Sequence, residues 1–136
     1  MMTLTEIQDY LNTKDRFCAV NDMKITVVSQ DYAEAVMPIS ENKLNGLDVV
    51  QGGAIYTLAD FAFAGASNAN KDDKRCIGTV SSINYLRPGS GSFLKAVAKM
   101  LHTGKKTCTC LVSVYNDEEK LIATATFQGF MLDKTI

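Results

Sequence analysis

The sequence predicts an α+β domain in which one curved antiparallel sheet wraps around a long central helix. The stretch QGGAIYTLADFAFAGASNAN, residues 51–70, carries small or apolar side chains around almost its whole circumference, and such a helix is buried on nearly every side. Two strand-like segments precede it and four follow it, separated by short turns. A helix lying flat on an open sheet would instead show a polar outer stripe, which this stretch lacks.

The length and composition are those of a single domain, residues 1–136. Hydrophobic residues make up 46% of the chain, which is enough for one compact core. The 14 basic and 15 acidic residues leave a net charge of −1 and form no long run of one sign. Nucleic acid is therefore not an expected partner.

The N-terminal segment and the apolar runs argue against export and membrane insertion. MMTLTEIQDYLNTKDRF carries charges every few residues, where a secretory signal needs an apolar stretch. The longest apolar run, residues 54–66, is too short to span a bilayer and contains Asp60. We therefore expect a cytoplasmic protein that does not associate with membranes.

The four cysteines are expected to be reduced thiols in that compartment. Cys108 and Cys110 alternate with Thr107, Thr109 and Leu111, which places both thiols on one face of a strand. No histidine or second cysteine pair stands nearby in the sequence to complete a metal-binding set. These cysteines are predicted to fill the core, and no metal site is expected.

The first elements are a short helix and a hairpin. Thr5–Leu11 has apolar residues at helical spacing, with Thr3 or Thr5 as the N-cap, and is expected to pack on the outside as a lid or edge. Residues 23–38 alternate in polarity with a break at Gln30 and Asp31, which predicts a hairpin whose second strand ends at Pro38.

Four strands are predicted after the central helix, joined by the turns RPGSGS, HTGKK and NDEEK. All three connections are short enough for antiparallel hairpins. The predicted strands are Gly78–Leu86, Phe93–Leu101, Thr107–Tyr115 and Leu121–Leu132.

Asp60 lies in the middle of this apolar helix, and no residue within eight positions on either side carries a positive charge. An ionised carboxylate without a partner is costly to remove from water. One explanation is structural, a hydrogen-bonded carboxylate at a subunit contact. The other is catalytic, because desolvation raises a carboxyl pKa towards the range of a general base.

Gln51, Gly52 and Gly53 begin the same helix. Two glycines allow a ligand to approach the backbone closely, and the N–H groups of the first turn lack helical acceptors. Such groups polarise a carbonyl or hold an oxyanion. A flexible start to the helix explains two glycines equally well, so this motif gains weight only together with Asp60.

Gly52 and Asp60 are too far apart on one helix to act on one atom. Eight residues span about 12 Å along the axis, whereas both groups must lie about 3 Å from the reacting carbonyl. If both act, they come from different subunits, most simply from two antiparallel helices related by a two-fold axis. This argument predicts an obligate dimer.

Other catalytic arrangements are not supported. His102 is the only histidine, it lies in the turn LHTGKK, and the chain has no G-x-S-x-G motif. The glycine-rich nucleotide-binding motifs are also missing from the sequence. A catalytic base, if there is one, is a carboxylate.

The stretch NGLDVVQGGAIYTLADFAFAGASNAN, together with the segment from TVSSINYLRPG to IATATF, resembles the hotdog-fold acyl-CoA thioesterases of the phenylacetic-acid-degradation (PaaI-like) type. The resemblance covers about residues 45–131. It implies the wrapped sheet described above, usually as a dimer paired again into a tetramer. It also implies hydrolysis of the thioester of acyl-coenzyme A without a metal or redox cofactor.

The resemblance also implies roles for single residues. Asp60 corresponds to the family's catalytic carboxylate, acting as nucleophile or as base towards water. Gly52, with Gly53 beside it, corresponds to the backbone donor to the thioester oxygen. Asn45 corresponds to a polar residue that helps to place substrate or water.

Four further residues are expected to bind substrate by the same resemblance. Thr79 and Ser81 fall where the family often has a hydroxyl near the thioester. Arg87 and Lys105 are candidates for the phosphates of coenzyme A, although exposed, solvated basic residues explain each of them about as well.

Gln51 departs from the family pattern, which usually has histidine before the two glycines. A glutamine orients a carbonyl or a water but takes no proton. The leading hypothesis is acyl-CoA hydrolysis with Gln51 in the site. The alternative is a non-catalytic acyl-CoA binding or sensing module, and a weaker third hypothesis is a hydratase on the same fold.

Overall fold

A computed structural model describes residues 2–133 as one antiparallel sheet wrapped around a helix, which confirms the predicted fold class. The six strands lie in the order β1-β2-β4-β5-β6-β3. The elements are α1 (Leu4–Lys14), α2 (Arg16–Val20), β1 (Lys24–Ser29), β2 (Tyr32–Pro38), a 3₁₀ turn (Glu41–Lys43), α3 (Gly52–Asn68), β3 (Arg75–Tyr85), β4 (Phe93–Thr103), β5 (Thr107–Asn116) and β6 (Leu121–Leu132).

The central helix α3 packs into the concave side of the sheet. Leu58, Phe61 and Ala62 are fully buried there. At Gly65 the helix approaches β2 so closely that a Cβ atom would lie 2.8 Å from the Cβ of Ala33. No helix within residues 2–133 has the length and apolar character needed to cross a membrane.

One face of α3 remains uncovered by its own chain, which differs from the expectation of burial on nearly every side. This uncovered face consists of Gly53, Thr57, Asp60 and Ala64, whose positions repeat every three or four residues. Gly53 and Asp60 are exposed, and the other two are half-buried. The face was hard to recognise in the sequence because its residues other than Asp60 are small and uncharged.

The two edges of the sheet differ in how they are covered. At β1, the Asn12 side chain accepts from the Ile25 N–H at 2.8 Å, and the side chains of Gln8 and Asn12 donate to the Ile25 carbonyl. Helix α1 therefore covers this edge, as predicted. At β3, the outer edge is unpaired within residues 2–133, and Ile77 and Val80 are 53% and 61% exposed.

Most sequence-predicted elements are confirmed. Thr3 is the N-cap of α1 and forms a capping box with Glu6. The hairpin breaks at Gln30 and Asp31 and ends at Pro38. Cys108 and Cys110 are buried on one face of β5, as their alternation predicted. The short helix α2 and the 3₁₀ turn were not predicted.

The predicted hairpin across RPGSGS is wrong. Strand β3 pairs with β6 at the far edge of the sheet, and β4 pairs with β2 and β5. The connection therefore crosses from the edge strand β3 to β4 in the middle of the sheet. Two backbone hydrogen bonds hold it: the Leu86 N–H donates to the Ile122 carbonyl, and the Val50 N–H donates to the Gly89 carbonyl. Its short length permitted a hairpin, but the pairing of β3 with the long strand β6 decides the topology.

Candidate active site

Gly52 begins α3, and its N–H points to no acceptor within residues 2–133. The next amide is different, because the Gly53 N–H donates to Oε1 of the N-cap residue Gln51 at 3.3 Å. Ala54 and Ile55 donate to the Gln51 carbonyl. Among these first-turn amides, that of Gly52 is the donor left free for a ligand.

Neither glycine is required by packing within the chain. A Cβ atom at Gly53 would meet nothing within 4 Å, and one at Gly52 would touch the Tyr85 ring at 3.4 Å, an ordinary contact distance. Neither residue has a positive φ angle. The space in front of Gly53 is therefore open to a molecule from outside the chain, whereas the Tyr85 ring borders Gly52.

A cavity of about 350 Å³ lies beside this end of the helix and contains three predicted site residues, Asn45, Gly52 and Arg87. The Oδ1 atom of Asn45 accepts from the Leu47 N–H at 2.9 Å, so this side chain also holds its own loop. Arg87 donates to the Leu121 carbonyl at 2.7 Å and is exposed. We call this space the Gly52 cavity.

A second cavity of about 280 Å³ contains Asp60, Thr79 and Ser81. Thr79 donates to the Gln128 carbonyl at 3.3 Å, and the Ser81 Oγ lies 2.6 Å from the hydroxyl of Tyr56. We call this space the Asp60 cavity. The structure thus brings the predicted carboxylate together with both predicted hydroxyl residues.

The carboxylate of Asp60 has no hydrogen bond or ion pair within the described part of the chain. Its side chain is accessible from the uncovered face of α3. Partial desolvation by the surrounding protein nevertheless raises the pKa of Asp60 above its ordinary value, and the negative charge of Asp15 raises it further.

The Gly52 cavity and the Asp60 cavity share no lining residue. Within one chain, Gly52 and Asp60 therefore lie at separate places. Their spacing along α3 predicted this separation. Gln51 lines neither space and borders a third cavity. Lys105 lies in the turn between β4 and β5, where its carbonyl accepts from Lys74, and the structure does not bring it to these residues.

Two tyrosines near the site were not among the sequence-predicted site residues. Tyr85 donates from its hydroxyl to the Gly52 carbonyl at 3.0 Å, and Tyr56 bonds Ser81 in the Asp60 cavity. Tyr56 precedes Asp60 by one helical turn, which is a usable sequence signal. Tyr85 is 33 residues from Gly52, and no local pattern connects them.

These features define a hotdog-fold protein with an unpartnered amide and an unpartnered carboxylate on its central helix. The sequence pattern of the thioesterase superfamily matches residues 47–123. The chain belongs to the thioesterase superfamily.

Individual relatives agree with this assignment. The acyl-coenzyme A thioesterase PaaI of Escherichia coli is 33% identical over 115 residues, covering 82% of this chain and 81% of PaaI. A protein from Archaeoglobus fulgidus that carries an esterase name is 37% identical over 120 residues, covering 88% and 77% of the two chains.

Solved structures are similar over nearly the whole chain. The structure of the E. coli PaaI protein superposes with a TM-score of 0.91 at 25% identity, covering 98% of this chain and 96% of that one. The TT0310 protein from Thermus thermophilus superposes with a TM-score of 0.80 at 29% identity, covering 88% and 99%. These comparisons confirm the PaaI-like resemblance and support thioester hydrolysis as the class of reaction.

Proposed function

We propose that the protein hydrolyses acyl-coenzyme A to the free acid and coenzyme A, at sites shared between two chains. One observation carries the proposal. The free Gly52 N–H and the unpartnered Asp60 carboxylate lie in separate cavities of one chain, so a partner chain is needed to bring one of each together.

In this proposal the Gly52 N–H donates to the thioester carbonyl oxygen of the substrate. The donor stabilises the negative charge that develops on this oxygen in the transition state. Asp60 of the partner subunit either attacks the carbonyl carbon or removes a proton from the attacking water. The carbon–sulfur bond breaks, coenzyme A leaves as a thiol, and the reaction needs no metal or redox cofactor.

The dimer proposed here is supported by two surfaces. The open edge of β3 exposes Ile77 and Val80, and an uncovered edge strand of this kind favours pairing with another chain. The uncovered face of α3 is lined by Gly53, Thr57 and Ala64 around Asp60, and these small side chains leave room for a second helix with the substrate between the two. Pairing of dimers into a tetramer is a further proposal from the family resemblance.

The remaining predicted site residues have supporting roles in this proposal. Asn45 and Arg87 line the Gly52 cavity, where Arg87 would bind a phosphate of coenzyme A. Thr79 and Ser81 would contact the thioester from the Asp60 cavity. Lys105 lines neither cavity, and its proposed phosphate contact rests on the family resemblance alone.

The alternative is an acyl-CoA binding module without turnover, and Gln51 is the observation that favours it. Its Oε1 is engaged by the Gly53 N–H, which leaves the Nε2 donor to orient a carbonyl or water but provides no proton acceptor like imidazole. Binding of acyl-CoA without release of free thiol would support this alternative.

The test is a thiol-release assay with short-chain, medium-chain, long-chain and aromatic acyl-CoAs. Asp60→Asn should lower kcat at least about 100-fold, because it removes the base or nucleophile while preserving shape. KM should change much less. The matched control, Asp72→Asn, changes an exposed turn aspartate and should retain wild-type turnover. Wild-type turnover in Asp60→Asn would contradict the proposed role of this carboxylate.

A further inference from the structure

A third cavity, of about 340 Å³, borders the first turn of α3 and is lined by Gln51, Gly53, Ala54 and Thr57 together with Phe17. The helix separates it from the Gly52 cavity. Gly52 and Ile55 face the Gly52 cavity, whereas positions 53, 54 and 57 face the third one. Gly53 adds no side chain between the two cavities, and nothing lies within 4 Å of the position of its missing Cβ.

The outer wall of this third cavity combines apolar side chains with the two asparagines Asn21 and Asn42. Phe17 of α2 and Met23, just before β1, contribute a phenyl ring and a thioether. Met23 is buried, but Phe17 is 65% exposed at the mouth of the cavity. An exposed aromatic ring beside a cavity provides contact area for an apolar ligand.

Lys43 borders the same cavity, but its charge is already compensated. Its ammonium group donates to Asp22 Oδ2 at 2.8 Å, to Asn42 Oδ1 at 2.9 Å and to Ser40 Oγ at 3.2 Å. An ammonium group has three donors, so all are in use. The cavity therefore has no free cationic donor for a carboxylate at the far end of a ligand.

We propose that this third cavity binds the acyl group of the substrate and selects an uncharged hydrocarbon group. The inference rests on the proposed function. With the thioester carbonyl at the Gly52 N–H, the coenzyme A arm extends through the Gly52 cavity past Arg87. The acyl group passes over Gly53 and contacts Ala54, Thr57 and Phe17.

The experiment compares kcat/KM for acetyl-, hexanoyl- and adipoyl-CoA. Adipoyl has six carbons like hexanoyl, but its terminal methyl is replaced by a carboxylate. The wild type should prefer hexanoyl to both others, since each methylene buried from water favours binding about fourfold. Thr57→Leu, which places a larger side chain in the cavity, should lower the hexanoyl-to-acetyl ratio at least about tenfold.

Phe17→Ala provides a second variant, because its exposed position makes folding insensitive to the change. This variant should lower the hexanoyl-to-acetyl ratio of kcat/KM several-fold. The matched control is Val20→Ala, which removes another apolar side chain of α2. Val20 is 77% exposed and does not line the cavity, so this variant should keep the wild-type ratio.

Each result supports or overturns the inference. Equal or faster turnover of adipoyl-CoA, or an unchanged ratio in both cavity variants, would overturn it while leaving thioester hydrolysis in place. If the wild type hydrolyses none of the three substrates, no long-chain acyl-CoA and no aromatic acyl-CoA, the proposed function fails and the inference with it. If it hydrolyses only aromatic acyl-CoAs, the proposed function stands and the inference is overturned.

Discussion

At the scale of single residues, Asp60 and the Gly52 amide share one property. Each is a strong hydrogen-bonding group without a partner in the described chain. Neither group is buried in the single chain, so both are open to water there and remain accessible to a ligand or a second chain. Asp60 was identifiable from the sequence because a lone charge in an apolar helix is conspicuous. The free Gly52 amide depends on how Gln51 caps the helix, which the sequence does not specify.

The raised pKa of Asp60 predicts the acid limb of the pH profile. Only the carboxylate form can act as nucleophile or base, so kcat/KM should fall as the pH drops through the Asp60 pKa. That pKa lies above the ordinary value of 3.8, and the fall should therefore begin at higher pH than for an ordinary aspartate. Steady-state rates with a stable acyl-CoA measure this limb. A limb at or below 3.8 would contradict the raised pKa of this group.

The same shift predicts how Asp60 affects stability. Because the pKa of Asp60 is raised in the folded state, its ionisation lowers the free energy of unfolding at neutral pH. This loss is reversed as the pH falls through the folded-state pKa and the carboxylate is protonated. Asp60→Asn should therefore unfold at an equal or higher urea concentration than the wild type at neutral pH. Clear destabilisation of Asp60→Asn would favour the structural explanation, in which the carboxylate is hydrogen-bonded at a subunit contact.

Gln51→His tests the departure from the family pattern. An imidazole at this position can still donate to a carbonyl or water, so turnover should be preserved or raised. The measurement is kcat for the best acyl-CoA, with circular dichroism as the control for folding. Abolished turnover in a folded variant would mean that the site requires the amide, whose Oε1 accepts from the Gly53 N–H.

At the scale of elements, α3 carries both the core and the candidate site on different faces. Gly65 faces the sheet, where an added Cβ would lie 2.8 Å from the Ala33 Cβ. Gly53 lies on the uncovered face with open space in front of it. Two glycines of one helix therefore have opposite surroundings, close packing at Gly65 and open space at Gly53.

This contrast predicts opposite effects of the same substitution on the free energy of unfolding. Gly65→Ala should destabilise the protein by about 1–3 kcal/mol through overpacking against β2. Gly53→Ala should be neutral or stabilising by up to about 1 kcal/mol, because alanine loses less conformational entropy in a helix. Urea unfolding of both variants measures this difference. A stable Gly65→Ala and a destabilised Gly53→Ala would contradict the packing described here.

The elements also show what could be predicted from the sequence. Alternation and turn residues placed all six strands, and for Leu121–Leu132 even the bounds agree. The position of β3 was mispredicted because the connection after it is short, while its partner β6 lies more than 35 residues later in the chain. Helix α2 has only five residues, too few for a helical period to be recognised.

At the scale of the whole molecule, the sheet has one covered edge and one open edge. Helix α1 covers β1 through Asn12 and Gln8, whereas β3 leaves its edge and two apolar side chains exposed. The open edge lies beside the Asp60 cavity, because Thr79, Val80 and Ser81 belong to both. A second chain that pairs here would also approach Asp60, so assembly and activity are expected to depend on each other.

Mixed dimers of two inactive variants test the two-chain site most directly. Asp60→Asn chains and Gly52→Val chains are co-expressed with different affinity tags, and the mixed species is purified through both. Circular dichroism and sedimentation confirm that each variant is folded and dimeric.

Both parent dimers should be inactive. The mixed dimer should recover about half of the wild-type turnover, because one of its two sites combines an intact Gly52 with an intact Asp60 from the partner subunit. Verified mixed dimers as inactive as their parents, or a folded wild-type monomer with full activity, would contradict the account.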